Sequence, residues 1–153
     1  MNLNPVTLKK LKRFKSIKRG YYSFVIFSVL VVISLLAELL VNSRALAVSY
    51  QGELYFPTYG DVIPGQHFGL DYEYETNYRQ LKSQFAKEDK GDWVLLPLVP
   101  WNPYEQDFKE EAYPPYAPSL AERHFLGTDT SGRDVLARLV YGFRIAIGFA
   151  FIA

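Results

Sequence analysis

The 153 residues are enough for one ordinary domain, with 49% hydrophobic, 22% charged and 16% aromatic side chains and a net charge of +1. Such a composition excludes a disordered chain, which would be poor in apolar and aromatic residues, and the charge total excludes a strongly basic nucleic-acid binder. Absence of cysteine excludes a disulfide scaffold, a zinc finger and a cysteine nucleophile, and two histidines with one methionine leave little for a metal site.

The near-neutral total conceals segregation along the chain. Residues 1–20 carry Lys9, Lys10, Lys12, Arg13, Lys15, Lys18 and Arg19 and no acid. Residues 21–41 read YYSFVIFSVLVVISLLAELLV, with Glu38 as the only charge. At about 1.5 Å per residue such a run spans roughly 31 Å as a helix, the thickness of a hydrocarbon core. The pattern predicts a basic cytoplasmic N-terminus over 1–20 and transmembrane helix 1 over 21–41, with Tyr21, Tyr22 and Phe24 at the headgroup boundary. The competing reading, a buried core helix of a soluble protein, is disfavoured by the length of the run. Ala45-Leu46-Ala47 matches a signal-peptidase site, but the apolar run is longer than a signal core, so an uncleaved anchor is expected. Ser34, Glu38 and Asn42 recur at i, i+4 and i+8 and share one helix face. A carboxylate snorkelling toward the outer headgroups is the favoured reading of Glu38. The alternative is a face hydrogen-bonded to other membrane helices.

Residues 42–128 are expected to form a small irregular α+β domain outside the cytoplasm. Between 42 and 120 there are twelve acids against six Lys or Arg. Residues 47–56, AVSYQGELYF, nearly alternate about Gln51-Gly52 and predict a hairpin in which glycine supplies the positive φ. Pro57, Gly60, Pro64 and Gly65 mark a loop. Tyr74, Tyr78, Leu81 and Phe85 fall on an approximate helical stripe, and residues 93–99 make a short apolar run that suits a strand. Six prolines from Pro97 to Pro118 exclude long regular structure there. Nine of the twelve tyrosines and both tryptophans lie between Tyr50 and Tyr116. Packing of a thin core accounts for them best, and a surface for a partner protein or peptide is the alternative.

No catalytic constellation emerges, and the chain is not expected to be an enzyme. The acids are scattered. His67 and His124 sit in loops without ligand spacing and read as surface histidines. Gly127 to Gly132 mimics a phosphate loop, but Arg133-Asp134 replaces the Lys-Ser/Thr pair that such a loop needs. The stretch also lacks the acid spacing of a calcium loop. No catalytic, cofactor-binding or metal-ligating residue is therefore assigned, and substrate-binding residues are unknown. The basic head faces anionic membrane lipid more readily than nucleic acid.

Residues 124–144, HFLGTDTSGRDVLARLVYGFR, predict a loop and then a capped helix. Asp129 or Thr130 can serve as N-cap, and Asp134 suits the positive end of the helix. Val135, Leu136, Leu139 and Val140 make an apolar face with Arg133 and Arg138 off it. This predicts an amphipathic interfacial helix over 129–138 leading into transmembrane helix 2, begun at 139 and ending in this chain at Ala153.

The string His124-Phe-Leu-Gly-Thr-Asp129, with Gly132-Arg-Asp-Val-Leu-Ala-Arg-Leu139 and Tyr141-Gly-Phe-Arg144, closely resembles the stretch before the second membrane helix in one permease family. These are the dipeptide, oligopeptide and nickel importers of the ATP-binding-cassette class, and the likeness is to the second permease subunit of the pair. Arg19-Gly-Tyr-Tyr-Ser, Ser34-Leu-Leu-Ala-Glu38 and Val48-Ser-Tyr-Gln-Gly-Glu-Leu-Tyr-Phe-Pro57 resemble the Yej-type branch, which is associated with peptides and the peptide-nucleotide microcin C. The resemblance implies a membrane α-helical fold of about six spans in the bacterial inner membrane. It implies a homologous permease subunit, two ATPase subunits that carry the ATP, and an extracytoplasmic peptide-binding protein as partners. On this reading the chain is the N-terminal portion of such a permease, without the Glu-Ala-Ala coupling loop, and it carries no cofactor itself. The alternative is a signal-anchored protein with an extracytoplasmic binding or scaffolding domain.

Overall fold

The structure is a computed structural model that describes residues 4–110 and 112–153. It divides into two compact units, one up to Leu35 and one from Leu36 to Ala153.

The first unit holds two helices. α1 (Pro5–Ser16) starts as its sequence dictates: the Asn4 side chain accepts from the Val6 N–H at 3.1 Å, and proline occupies the first turn, where its missing N–H costs nothing. Ile17 interrupts the helix, and α2 (Lys18–Leu35) follows. Phe14 packs edge-on against Tyr21 and Phe24, with ring centroids 6.0 and 5.5 Å apart, and this joins α1 to the start of α2. α2 is long and apolar enough to cross a bilayer. Its large side chains, Phe24, Ile26, Val29, Val32 and Leu35 among them, are exposed, whereas a core helix of a soluble protein would hide them. The Ser28 hydroxyl donates back to the Phe24 carbonyl at 2.8 Å, which satisfies its polarity within the helix.

The expected helix over 21–41 is shorter than that. α2 ends at Leu35, and a single-turn helix, α3 (Ala37–Leu40), opens the second unit. Val41 is then extended and forms a parallel bridge with Val99. The Val99 N–H donates to the Leu40 carbonyl at 2.9 Å, and the Asn42 N–H to the Val99 carbonyl at 3.1 Å. A long-range contact therefore ends the helical run where the local sequence carries no proline or glycine.

The second unit is built on a small antiparallel sheet in the order β2-β1-β3. β1 (Ala47–Tyr50) and β2 (Glu53–Tyr55) form the expected hairpin, with Val48 opposite Tyr55. Both turn residues, Gln51 (φ 52°) and Gly52 (φ 85°), are left-handed, which matches the twist of the strands. β3 (Trp93–Leu95) pairs with the other edge of β1, so the apolar run from residue 93 is only partly a strand. Ala45 and Ala47 lie buried in and beside this sheet, so the signal-site match is part of the fold.

α4 (Tyr78–Glu88) packs on one face of the sheet. The Asn77 side chain caps it by accepting from the Arg79 and Gln80 N–H groups. Tyr78, Leu81 and Phe85 are buried as the stripe predicts, but Tyr74 lies before the cap and is exposed. With Ala45, Val48, Phe68, Leu70 and Val94 they form the first core cluster. Phe68 comes from the 3-10 turn Gly65–Phe68 and meets Tyr50, Tyr55 and Tyr78 edge-on, while Tyr50 stacks on Phe85 at 5.7 Å. These aromatic residues pack the core, whereas Tyr59, Tyr74, Trp93, Tyr104 and Tyr113 of the same segment are exposed. Burial, with the Glu75 carboxylate adding to it, pushes the Tyr78 phenol up to about 12.

α5 (Val135–Ile152) is one continuous helix, also long and apolar enough to span a bilayer. The separate interfacial helix expected over 129–138 is absent. Residues 129–134 form a loop, and the N-cap is Asp134, not Asp129 or Thr130. The first turns of α5 bury Ala137 against Val41, Val99 and Trp101, with Leu136, Val140 and Tyr141 packed around this second cluster, while Leu139 is exposed.

Candidate functional site

The most elaborated polar structure lies where the irregular segment of residues 97–134 meets α5. His124 is fully buried. Its Nδ1 donates to Asp134 Oδ2 at 2.7 Å, and its Nε2 lies 3.4 Å from Asp107 Oδ2. The surface position expected for this histidine is thus wrong. Two carboxylates and an indole satisfy the ring better than water would, and Trp101 stacks on it at 4.2 Å. His67 does lie at the surface, edge-on to Tyr55.

Asp134 serves two elements at once. Its Oδ1 accepts from the Ala137 N–H at 2.7 Å and caps α5, while Oδ2 holds His124. A carboxylate at a helix N-terminus also faces the positive end of the peptide dipoles. One buried side chain therefore ties the helix start to the irregular segment.

Trp101 extends this contact to the sheet domain. The Arg79 guanidinium of α4 sits 3.9 Å over its ring, and Arg79 in turn pairs with Glu105. The indole N–H donates to the Glu122 carbonyl at 2.8 Å. Arg79, Trp101, His124 and Asp134 form a continuous stack from α4 to α5. Two open clefts, each of about 470 Å³, flank Arg79; one is lined by Arg44, Tyr74 and Tyr104, the other by Lys82, Lys109 and Arg123.

The loop that mimics a phosphate cradle carries its own anion. Asp129 Oδ1 accepts from the Ser131 and Arg133 N–H groups at 2.8 and 3.0 Å, and Oδ2 pairs with the side chains of Arg133 and Arg138. Partial burial works against the charge, but the Arg133 and Ser131 N–H groups and the Arg133 guanidinium outweigh it and hold the carboxyl at about 2. Both glycines are required by close approach. A Cβ on Gly127 (φ 73°) would lie 2.5 Å from the Tyr116 carbonyl oxygen, and one on Gly132 (φ 76°) 2.4 Å from that of Asp107.

A second polar group joins α3 to α5. Tyr141 donates to Glu38 Oε2 at 2.8 Å, and Arg144 Nη1 to Glu38 Oε1 at 2.8 Å. Asn42 Nδ2 reaches Glu38 Oε2 at 3.4 Å. The carboxylate is paired with α5, as the hydrogen-bonded reading of Glu38 expects. A signal for this was present: Glu38 is the only charge in the first apolar run and Arg144 the only one from Leu139 onward. His124 with Asp134 carried no comparable signal, because nothing local distinguishes a buried loop histidine.

Among the described residues no group of three or more His, Cys, Asp or Glu side chains is placed to hold a metal ion. Several acids lie in ion pairs, as with Arg44–Glu75 at 2.6 Å and Lys109–Glu122 at 2.5 Å.

The chain is 33% identical, over 95% of its length, to the peptidoglycan transport system permease protein YejE of Agrobacterium fabrum. It is 35% identical, over 96% of its length, to the inner membrane ABC transporter permease protein YejE of Escherichia coli. A shorter match, 44% identical over 33% of the chain, is to the dipeptide transport system permease protein DppC of Escherichia coli. The chain spans 43% and 42% of the two YejE proteins and 17% of DppC. No family profile matches the chain, and no solved structure does. Two exposed apolar helices and homology to permeases along nearly its whole length describe a membrane α-helical protein. The chain belongs to the Yej-type branch of ATP-binding-cassette permease subunits.

Proposed function

We propose that the whole protein forms half of the pathway of an importer that carries peptides or peptide-containing solutes across the inner membrane. The single observation that supports this most is identity of 33–35% to YejE proteins over 95–96% of the chain. Partner ATPases bind and hydrolyse the ATP. A homologous permease completes the pathway, and an extracytoplasmic binding protein delivers the solute. The uneven charge supports the orientation: seven cations and no acid within residues 1–20 favour a cytoplasmic N-terminus. Residues 42–128 then form an α+β domain on the outer face.

In this reading the outer domain meets the binding protein or the sister subunit. The stack from Arg79 to Asp134 holds that domain rigidly on the start of α5. Deleting residues 50–116 from the full-length protein is expected to weaken peptide uptake while membrane insertion persists. Normal uptake after that deletion would show that the domain has no part in docking.

A further inference from the structure

We propose that α1 is a membrane-surface helix that binds anionic phospholipid headgroups beside the first span. The inference rests on α2 being that span.

Of the twelve residues of α1, five are cationic and none is acidic. They are not distributed evenly. Thr7, Leu11 and Phe14 recur at i, i+4 and i+7, with Leu8 beside them, and form one apolar stripe. Lys9, Lys10, Lys12 and Arg13 cover the remainder of the circumference. Lys15 falls within the stripe, at i+4 from Leu11 and i+7 from Leu8, where its long aliphatic stem can lie along the apolar surface with its ammonium in water. Leu8 and Leu11 are 42% and 48% exposed, and no residue of α1 is buried. Among the described residues no carboxylate pairs with these cations.

Two features single out lipid as the occupant. The first is charge complementarity combined with the stripe: a headgroup layer offers anions to Lys9, Lys10, Lys12 and Arg13 and acyl chains to Leu8 and Leu11 together. A nucleic acid would meet the cations and leave the stripe in water. The second is placement. Phe14 is packed on Tyr21 and Phe24, so α1 is attached at the first turns of an apolar span, where tyrosine rings favour the interface. Lys18 and Arg19 add two more cations at that point.

These 153 residues contain no cysteine, so single cysteines can carry nitroxide labels in this chain. Leu11→Cys reports the stripe, Ser16→Cys the polar face, and Ile26→Cys the span. Each is reconstituted in nanodiscs of phosphatidylglycerol with phosphatidylethanolamine, or of phosphatidylcholine alone, and probed with a water-soluble nickel chelate. In the anionic discs the Leu11 label should be at least threefold less accessible than the Ser16 label. That contrast should shrink in neutral discs, in high salt and in the variant K9E/K10E/K12E/R13E. Equal accessibility of Leu11 and Ser16 in anionic discs, or protection indifferent to all three changes, overturns the proposal. So does loss of protection on adding transfer RNA, which would make nucleic acid the preferred partner. An accessible Ile26 label means instead that α2 is no span, and the premise fails separately from the surface contact.

Discussion

Asp129, Gly127 and Gly132 show how much of the joint before α5 depends on single atoms. Gly127 and Gly132 combine positive φ with a backbone oxygen within 2.5 Å of where a Cβ would stand. Replacing either by alanine should cost more than about 2 kcal/mol, since left-handed strain of about 1–2 kcal/mol is joined by a clash with backbone that cannot yield. Gly52→Ala, with nothing within 4 Å of its Cβ, should cost only the strain, about 1 kcal/mol. Thermal unfolding of the detergent-solubilised chain, followed by near-ultraviolet circular dichroism, separates the two cases. Asp129 makes a second prediction. Its carboxyl is lower in the folded chain, at about 2, than in an unfolded one, at about 3.9. Its contribution is therefore complete above pH 4 and is lost as pH falls toward 2. Asp129→Asn should flatten the acid limb of the stability profile between pH 4 and 2. An acid limb unchanged by the substitution would show that the loop does not depend on the charge.

At the scale of elements, α5 is held by its first turn. Asp134→Ala removes the cap from Ala137 and the partner of a fully buried His124 together. The cap alone is worth about 1 kcal/mol, and an orphaned buried hydrogen-bond partner raises the total to about 2–4 kcal/mol. His124→Ala leaves the cap but orphans Asp134, so it too should cost about 3 kcal/mol. The two substitutions act on one contact, and the double variant should be less destabilised than their sum. Additive losses in that thermodynamic cycle would show that the 2.7 Å contact carries no coupling. The hairpin, α4 and α5 are legible in the sequence because each is specified locally: Gln51-Gly52 by turn chemistry, α4 by its apolar stripe, α5 by length and apolarity. The start of α5 was misplaced by five residues because Asp129 and Asp134 are equally good caps by type. Only the pairing of Asp134 with His124 distinguishes them.

For the whole molecule, Glu38 and Arg144 connect α3 to α5 across 106 positions of sequence. Arg144→Glu places two carboxylates together and should lower the unfolding midpoint. Glu38→Arg in the same chain should restore much of the loss, because the pair is recreated in reverse. Failure of the swap to recover any stability would show that Tyr141, which also donates to Glu38, carries the contact alone. The sequence by itself determined that two apolar segments flank an acidic, tyrosine-rich domain, and which permease branch the chain resembles. Hydropathy, charge asymmetry and contiguous motifs are local properties, so they survive without coordinates. The tertiary structure alone decided that the helical run gives way to extended chain at Val41, that His124 is buried, and that Glu38 is paired. Each of these is the outcome of a long-range contact: Val41 with Val99, His124 with Asp134 and Trp101, Glu38 with Tyr141 and Arg144. A polar group is driven to such a partner by the cost of leaving it unsatisfied away from water, and chain spacing does not encode which partner it finds.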